Sequence, residues 1–251
     1  MSLARLERAG KLYGPAPDAD TADWAARGID LEIGREEVVG LLGPNRAGKS
    51  TVAKLLLSLC RPTEGRVERF DRPGEDLRTL ARVGFVPEDP SFPPDRTATE
   101  LLRYLGTLSL IPRGRLRKRV GDVLQRLDLA DRAKEPVGRF SKGMLRRLAI
   151  AQALLHAPDL LILDEPAEGL DLPGRELLRG VIDEVRGRGG SVLLISHAVQ
   201  EVVQVCDRIL VLVRGRAAFS GRVDNLALGG DVNAVSSLEG WLLSLYGGPR
   251  G

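Results

Sequence analysis

Gly43-Pro44-Asn45-Arg46-Ala47-Gly48-Lys49-Ser50 constrains this chain more than any other segment, because it matches the pattern G-x-x-x-x-G-K-[ST]. The octet follows an apolar run, Glu37 to Leu42, and precedes a helical pattern, Lys49 to Leu59. A loop between a strand and a helix turns successive backbone N–H groups toward phosphate oxygens, and the helix start adds its positive end. Lys49 supplies a cation for the β- and γ-phosphates of ATP, and Ser50 a hydroxyl for Mg²⁺. Gly43 through Thr51 is therefore the candidate nucleotide-binding segment.

A second segment completes the chemistry. Leu160-Leu161-Ile162-Leu163 is a fully apolar strand that ends in Asp164-Glu165. Asp164 is the candidate to orient the metal, and Glu165 to polarise the attacking water. Between and around these segments, short apolar strands at Gly65 to Phe70, Arg82 to Val86, Val192 to Ile195 and Ile209 to Val213 alternate with helical patterns at Pro173 to Arg186 and Ala198 to Val205. That alternation predicts a parallel sheet covered on both faces. The first part adds strands at Leu3 to Arg8 and Gly28 to Ile33, separated by a loop, Gly14 to Asp23. Thr97 to Leu129 carries Leu and Val at helical spacing, and Ser141 to His156 reads as another helix. Residues 88–155 are thus expected to form a helical subdomain outside the sheet. The nucleotide domain is expected to span residues 1–227, and the tail, 228–251, to hold one short helix at Ser236 to Tyr246.

Composition excludes several classes. No run approaches 18 apolar residues, so nothing here spans a bilayer as a helix. MSLARLERAGKLYG has no apolar core of the secretory type. Cys60 and Cys206 lie far apart without metal-ligand spacing, which suits a reducing cytosol. The net charge is only +3, so nucleic acid is not indicated as a partner. The basic run Arg113-Gly114-Arg115-Leu116-Arg117-Lys118-Arg119 reads as a solvated helix face first, as a contact for anionic lipid or a membrane partner second, and as a nucleic-acid contact last.

The motifs resemble those of the ABC (ATP-binding cassette) ATPases over about residues 3–227. Phe140-Ser141-Lys142-Gly143-Met144 resembles the family's signature segment in the Ser-Lys-Gly-Met form of some exporter ATPases. Asp164 to Asp171 resembles Walker B plus D-loop, His197 the switch histidine, Tyr13 the aromatic that stacks on adenine, and Glu88 the position of the Q-loop glutamine. The resemblance implies an α/β P-loop NTPase: a mostly parallel sheet flanked by helices, with N-terminal antiparallel strands and a helical signature subdomain. It implies ATP hydrolysis with Glu165, His197 and Lys49 as catalytic residues, and Ser50, Glu88 and Asp164 as Mg²⁺ ligands. It also implies a dimer in which Ser141 and Gly143 of one copy contact ATP on the P-loop of the other. The partner implied is a transmembrane permease subunit, with the chain cytoplasmic and peripheral on the inner face of the cell membrane. The Ser-Lys-Gly-Met form and Glu88 point to export.

Two positions depart from the family. Arg46 replaces a glycine, and it is expected to fit if its φ is ordinary and its side chain leaves outward. Glu88 replaces glutamine, and a carboxylate is still a hard oxygen ligand. Rival readings are an ATP-sensing subunit with impaired hydrolysis, should Arg46 damage the loop, and a soluble ABC ATPase acting on DNA or ribosomes. Of the two histidines, His156 is expected to be structural, as a cation at a helix C-terminus.

Overall fold

Val38 to Leu42, Leu160 to Leu163 and Val192 to Ile195 are apolar at every position, or nearly so, because both faces of their strands are covered. The computed structural model describes residues 2–14, 24–225 and 240. Its centre is a six-stranded sheet made of β3 (Val38–Leu42), β6 (Val83–Val86), β7 (Leu160–Asp164), β8 (Ser191–Ser196), β9 (Arg208–Val213) and β10 (Arg216–Arg222). The order across the sheet is β10-β9-β3-β8-β7-β6. All neighbours pair in parallel except β9 and β10, which form an antiparallel edge.

Alternate residues of these strands enter different cores. Leu41, Leu160, Ile162, Leu193 and Leu210 join α1 (Lys49–Leu56) and a four-stranded antiparallel sheet on one face. That sheet is ordered β2-β1-β4-β5, from β1 (Ala4–Leu12), β2 (Trp24–Ile33), β4 (Glu64–Arg69) and β5 (Arg72–Pro73). Leu42, Leu161, Leu163 and Leu194 face the opposite way. There they meet α2 (Ala98–Leu108), α3 (Arg113–Arg126), α4 (Lys142–Leu154), α5 (Leu172–Gly187) and α6 (Val199–Val205). Each leucine withdrawn from water this way contributes about 1.5–3 kcal/mol before conformational entropy is counted. The helices of the insert share the sheet's core: Leu102, Leu124 and Leu148 lie in the same cluster as Leu161 and Leu163.

Two features differ from the sequence expectation. The helical stretch expected at Thr97 to Leu129 is two helices, because Pro112 has no N–H for a helix interior and caps α3 instead. Leu110 turns the chain with a φ of 57°. Strand β10 was not expected at all. It returns from β9 through Arg214-Gly215, whose φ values of 49° and 74° make a two-residue hairpin turn. The expected tail helix at Ser236 to Tyr246 and most of the loop from Gly14 to Asp23 lie outside the described residues.

Candidate nucleotide site

Parallel strands bring their carboxyl ends to one edge, where ligands bind in open α/β sheets. Here β3 delivers Gly43, β8 delivers Ser196 and His197, β7 delivers Asp164 and Glu165, and β6 delivers Pro87 and Glu88. Since β8 lies between β3 and β7, His197 emerges between the loop and the carboxylates. The result is a cavity of about 360 Å³ lined by Ala25, Asn45 to Thr51, Glu88, Asp164 and Glu165.

The loop's shape depends on two glycines. A Cβ at Gly43 would stand 2.5 Å from the carbonyl oxygen of Leu212. Gly48 has a φ of 104°, and a Cβ there would meet the Ala25 carbonyl at 2.3 Å. Gly48 is also the N-cap of α1: its carbonyl accepts from the Thr51 and Val52 amides, and the Lys49 and Ser50 amides before them have no partner within the helix and remain available to an anion. Arg46 corrects the expectation of an ordinary φ: its φ is 67°, in the left-handed region, at a cost of about 1–2 kcal/mol for an L-residue. Its side chain is exposed, as expected, and leaves the cavity floor to Lys49.

Lys49 is buried, and its ammonium donates to the carbonyls of Gly43 (2.7 Å) and Pro44 (3.2 Å). Its Nζ lies 3.9 Å from Glu165 Oε1. Burial lowers its pKa, while Glu165, Asp164 and Glu88 pull the other way. Asp164 is buried as well, and burial with the charges of Glu88 and Glu165 pushes its carboxyl up to about 6. This pocket of crowded carboxylates invites a divalent cation. Ser50, Asp164 and Glu88 offer only oxygen donors, the set a hard cation takes. Among the described residues no three His, Cys, Asp or Glu side chains form a metal nest. That fits an ion held by one or two carboxylates, a hydroxyl, water and phosphate oxygens.

Glu165 is the most constrained group. Its backbone has a φ of 46°, a left-handed turn straight after β7. His197 Nδ1 lies 2.9 Å from Glu165 Oε1. Glu165 Oε2 accepts from the His197 amide (3.4 Å) and from Ser196 Oγ (3.3 Å). Ser196 Oγ is equally distant from Glu201, so its single hydrogen serves one carboxylate at a time. His156, by contrast, lies away from the cavity with Nε2 3.1 Å from the Val83 carbonyl. It is structural, but not as the cation expected: burial lowers its pKa and favours the neutral ring.

Although Gly43 and Pro44 accept from Lys49 and His197 contacts Glu165, these three, like Tyr13, Ser141 and Gly143, are not among the residues lining the cavity. Tyr13 flanks it, half exposed, with its hydroxyl near Thr51 and 3.6 Å from Cys60 Sγ. Ser141 is exposed and caps α4, its Oγ accepting from the Met144 amide at 3.2 Å. A Cβ at Gly143 would stand 3.2 Å from the Gly169 carbonyl, so the start of α4 adjoins the segment after Glu165.

Two supports escaped the sequence reading. Arg146, buried in α4, donates to the carbonyls of Pro87 (2.7 Å) and Glu88 (2.6 Å) and so fixes the connector that carries Glu88. The signal was present: Arg146 shares a helical face with Ala149, Ile150 and Ala153, where a charge has no place without partners. Gly215, in the β9–β10 turn, donates to the Ala47 carbonyl (2.9 Å) and accepts from the Arg27 amide (2.7 Å). A Cβ at Gly215 would lie 2.7 Å from the Trp24 carbonyl, at a φ of 74°. Gly215→Val should therefore lower stability by about 2 kcal/mol and weaken nucleotide binding together. Urea unfolding and ATP titration of the variant check this, and undiminished ATP affinity would show that the turn does not hold the loop.

Comparison with known proteins agrees with this geometry. The family model described as ABC transporter matches residues 26–168, more than half of the chain. The chain is 37% identical over 234 residues to an uncharacterised ABC transporter ATP-binding protein of Nostoc sp., covering 90% of this chain and 70% of that protein. It is 35% identical over 230 residues to a daunorubicin resistance ATP-binding protein of Streptomyces coeruleorubidus, covering 90% of this chain and 71% of that protein. A solved ATP-binding subunit of an ABC transporter superposes with a TM-score of 0.85 at 26% identity, covering 96% of this chain and 100% of the other. By sequence and by fold, the chain belongs to the ATP-binding proteins of the ABC transporter family.

Proposed function

We propose that the chain is the ATP-hydrolysing motor subunit of a membrane exporter, in which two copies close around two ATP molecules. The observation that carries this reading is the convergence of Lys49, Asp164, Glu165 and His197 at the ends of neighbouring parallel strands. In this reading the P-loop amides and Lys49 bind the phosphates. Water is held against Glu165, which takes its proton as the oxygen attacks the γ-phosphorus and the bond to ADP breaks. His197 is oriented through Nδ1 by Glu165, which leaves Nε2 for the γ-phosphate. A magnesium ion, held by Ser50 and Asp164 with Glu88 nearby, would neutralise charge on the phosphates. Tyr13 stacks against the adenine. Ser141 and Gly143 act on the ATP of the second copy, which accords with the exposure of Ser141 and with neither residue lining the cavity of its own P-loop.

Export is supported by the drug-resistance relative and by the Ser-Lys-Gly-Met segment. Among the described residues no helix is long and apolar enough to cross a membrane, so the reading requires a separate permease. The seat proposed for it is a groove of about 540 Å³ between the connector after Glu88 and α2, lined by Phe92, Pro93, Leu101, Tyr104 and Leu105. This groove adjoins the segment that Arg146 holds, so movement there reaches Glu88. The chain purified from gently solubilised membranes should bring a polytopic membrane protein with it. Tyr104→Asp should lose that protein and keep ATPase activity. A chain recovered alone from such membranes contradicts the transport reading. The ATP-sensing rival gains little from Arg46, which is exposed at the cavity's edge beside Lys49, Asp164 and Glu165.

A further inference from the structure

The elbow joining α2 to α3 has a composition that neither folding nor ATP chemistry explains. Leu108 ends α2 and is 61% exposed, and Leu110 follows at 88% exposed. Leu110 also carries a left-handed φ of 57°, so the chain holds a large apolar side chain out in water on a strained backbone. Directly after it, α3 opens with Arg113, Arg115, Arg117 and Lys118, all exposed. Some exposed arginines, such as Arg66, Arg72, Arg78 and Arg132, are paired with carboxylates, and others, such as Arg35, Arg61 and Arg139, stand singly among the described residues; α3 differs in gathering unpaired cations within two turns. Among the described residues these four form no ion pair or hydrogen bond through their side chains, whereas Arg126 at the far end of α3 is paired with Glu184.

Their position is also wrong for helix stability. The N-terminus of a helix is its positive end and favours Asp or Glu, yet the first turn of α3 has no acid and two arginines. Like charges at Arg113 and Arg117, spaced i and i+4, add repulsion. The buried face of α3, Leu116, Val120, Val123 and Leu124, lies opposite Arg115 and Lys118, while Arg113 and Arg117 flank it at the helix start, still exposed. So the cations are held out at a cost, beside protruding leucines.

We propose that this elbow is a direct contact with anionic lipid, in which Leu108 and Leu110 enter the headgroup layer and the α3 cations bind its phosphates. Apolar side chains next to uncompensated Arg and Lys are the composition of an interfacial lipid contact. A surface for single-stranded nucleic acid calls for stacking aromatics, whereas exposed aliphatic side chains beside cations suit a lipid layer. The elbow also continues the permease groove, since Tyr104 and Leu108 are one helical turn apart on α2. Only the orientation of the elbow toward the membrane rests on the permease reading; the lipid contact itself is tested without a permease.

The purified chain is floated with vesicles of phosphatidylcholine alone or with one part in three phosphatidylglycerol. Binding is expected to the anionic vesicles only, and to be released by 0.5 M salt, roughly the regime in which such attraction is screened. Each cation near an anionic surface contributes about fivefold in partitioning, so a variant with Arg113, Arg115, Arg117 and Lys118 all changed to Gln should bind at least ~10-fold more weakly. Leu108→Ser with Leu110→Ser should weaken binding several-fold at unchanged charge. The glutamine variant should melt no lower than the parent and hydrolyse ATP at the parent rate, because none of these residues lines the nucleotide cavity. Equal binding to both vesicle types, or none, overturns the proposal. So does a glutamine variant that melts lower and binds less, which would make the cations structural. Selective capture of duplex nucleic acid, lost in the glutamine variant while vesicle binding persists, overturns it as well. If vesicles bind as stated and no permease copurifies, the lipid contact stands and the permease reading fails.

Discussion

Glu165→Gln should bind ATP like the parent chain and hydrolyse it about 10²–10⁴ times more slowly, the usual contribution of a general base. The amide keeps the shape of the carboxylate and an oxygen for His197 Nδ1, so the local packing survives. What it loses is the capacity to take a proton from water. It also loses the negative charge 3.9 Å from Lys49 Nζ, which removes a competitor for the lysine and should leave ATP affinity undiminished. Single-turnover phosphate release beside equilibrium ATP binding separates the two effects. A variant with the parent rate would show that Glu165 is not the base. A variant that no longer binds ATP would make Glu165 part of the loop's scaffold instead.

The second large effect concerns sharing between copies. Lys49→Ala removes the phosphate cation, and Ser141→Arg places a bulky charge where the reading puts the other copy's ATP. Each should be nearly inactive alone. In a two-fold dimer of one Lys49→Ala and one Ser141→Arg chain, both lesions fall in one composite site and the other is intact. Equal mixing makes half of the dimers mixed, each with one working site of two, so roughly a quarter of parent activity should return. No recovery, in samples where mixed dimers are demonstrated by differential tags, would place Ser141 and Lys49 in sites that are not shared. The exposure of Ser141 and its absence from the P-loop cavity are what make this arrangement necessary for it to act at all.

The phosphate loop and the Asp164-Glu165 strand were legible in the sequence because their chemistry is written locally. Gly48 must accept a φ of 104° close to the Ala25 carbonyl, and glycine alone does so. Leu160 to Leu163 must bury both faces, and an unbroken apolar run alone does so. The parallel sheet followed from such runs alternating with helices. What stayed illegible depends on partners distant in the chain. Strand β10, Arg-Ala-Ala-Phe-Ser-Gly-Arg, lies at an edge with little burial, so it carries almost no apolar signal. The role of Gly215 rests on Ala47 and Arg27, neither of which its own neighbourhood names. Arg146 stood on an apolar helical face, which marked it as buried, but its partners, the carbonyls of Pro87 and Glu88, lie far away in the chain. Arg46 misled in the other direction: the loop keeps the left-handed turn that glycine usually supplies, and arginine adopts it with its side chain in solvent. The break at Pro112 was readable, since proline in a helical pattern marks a boundary.

A shared site requires this chain to hydrolyse ATP only where a second copy completes it. Phosphate release per chain, measured with ATP and magnesium over a wide range of chain concentration, tests it most directly. The specific rate should rise with concentration as copies pair and then level off, vanish when EDTA removes the metal, and vanish in Lys49→Ala. A specific rate independent of concentration in a chain shown to remain monomeric would contradict the shared site. ATP binding without phosphate release at any concentration would contradict hydrolysis itself.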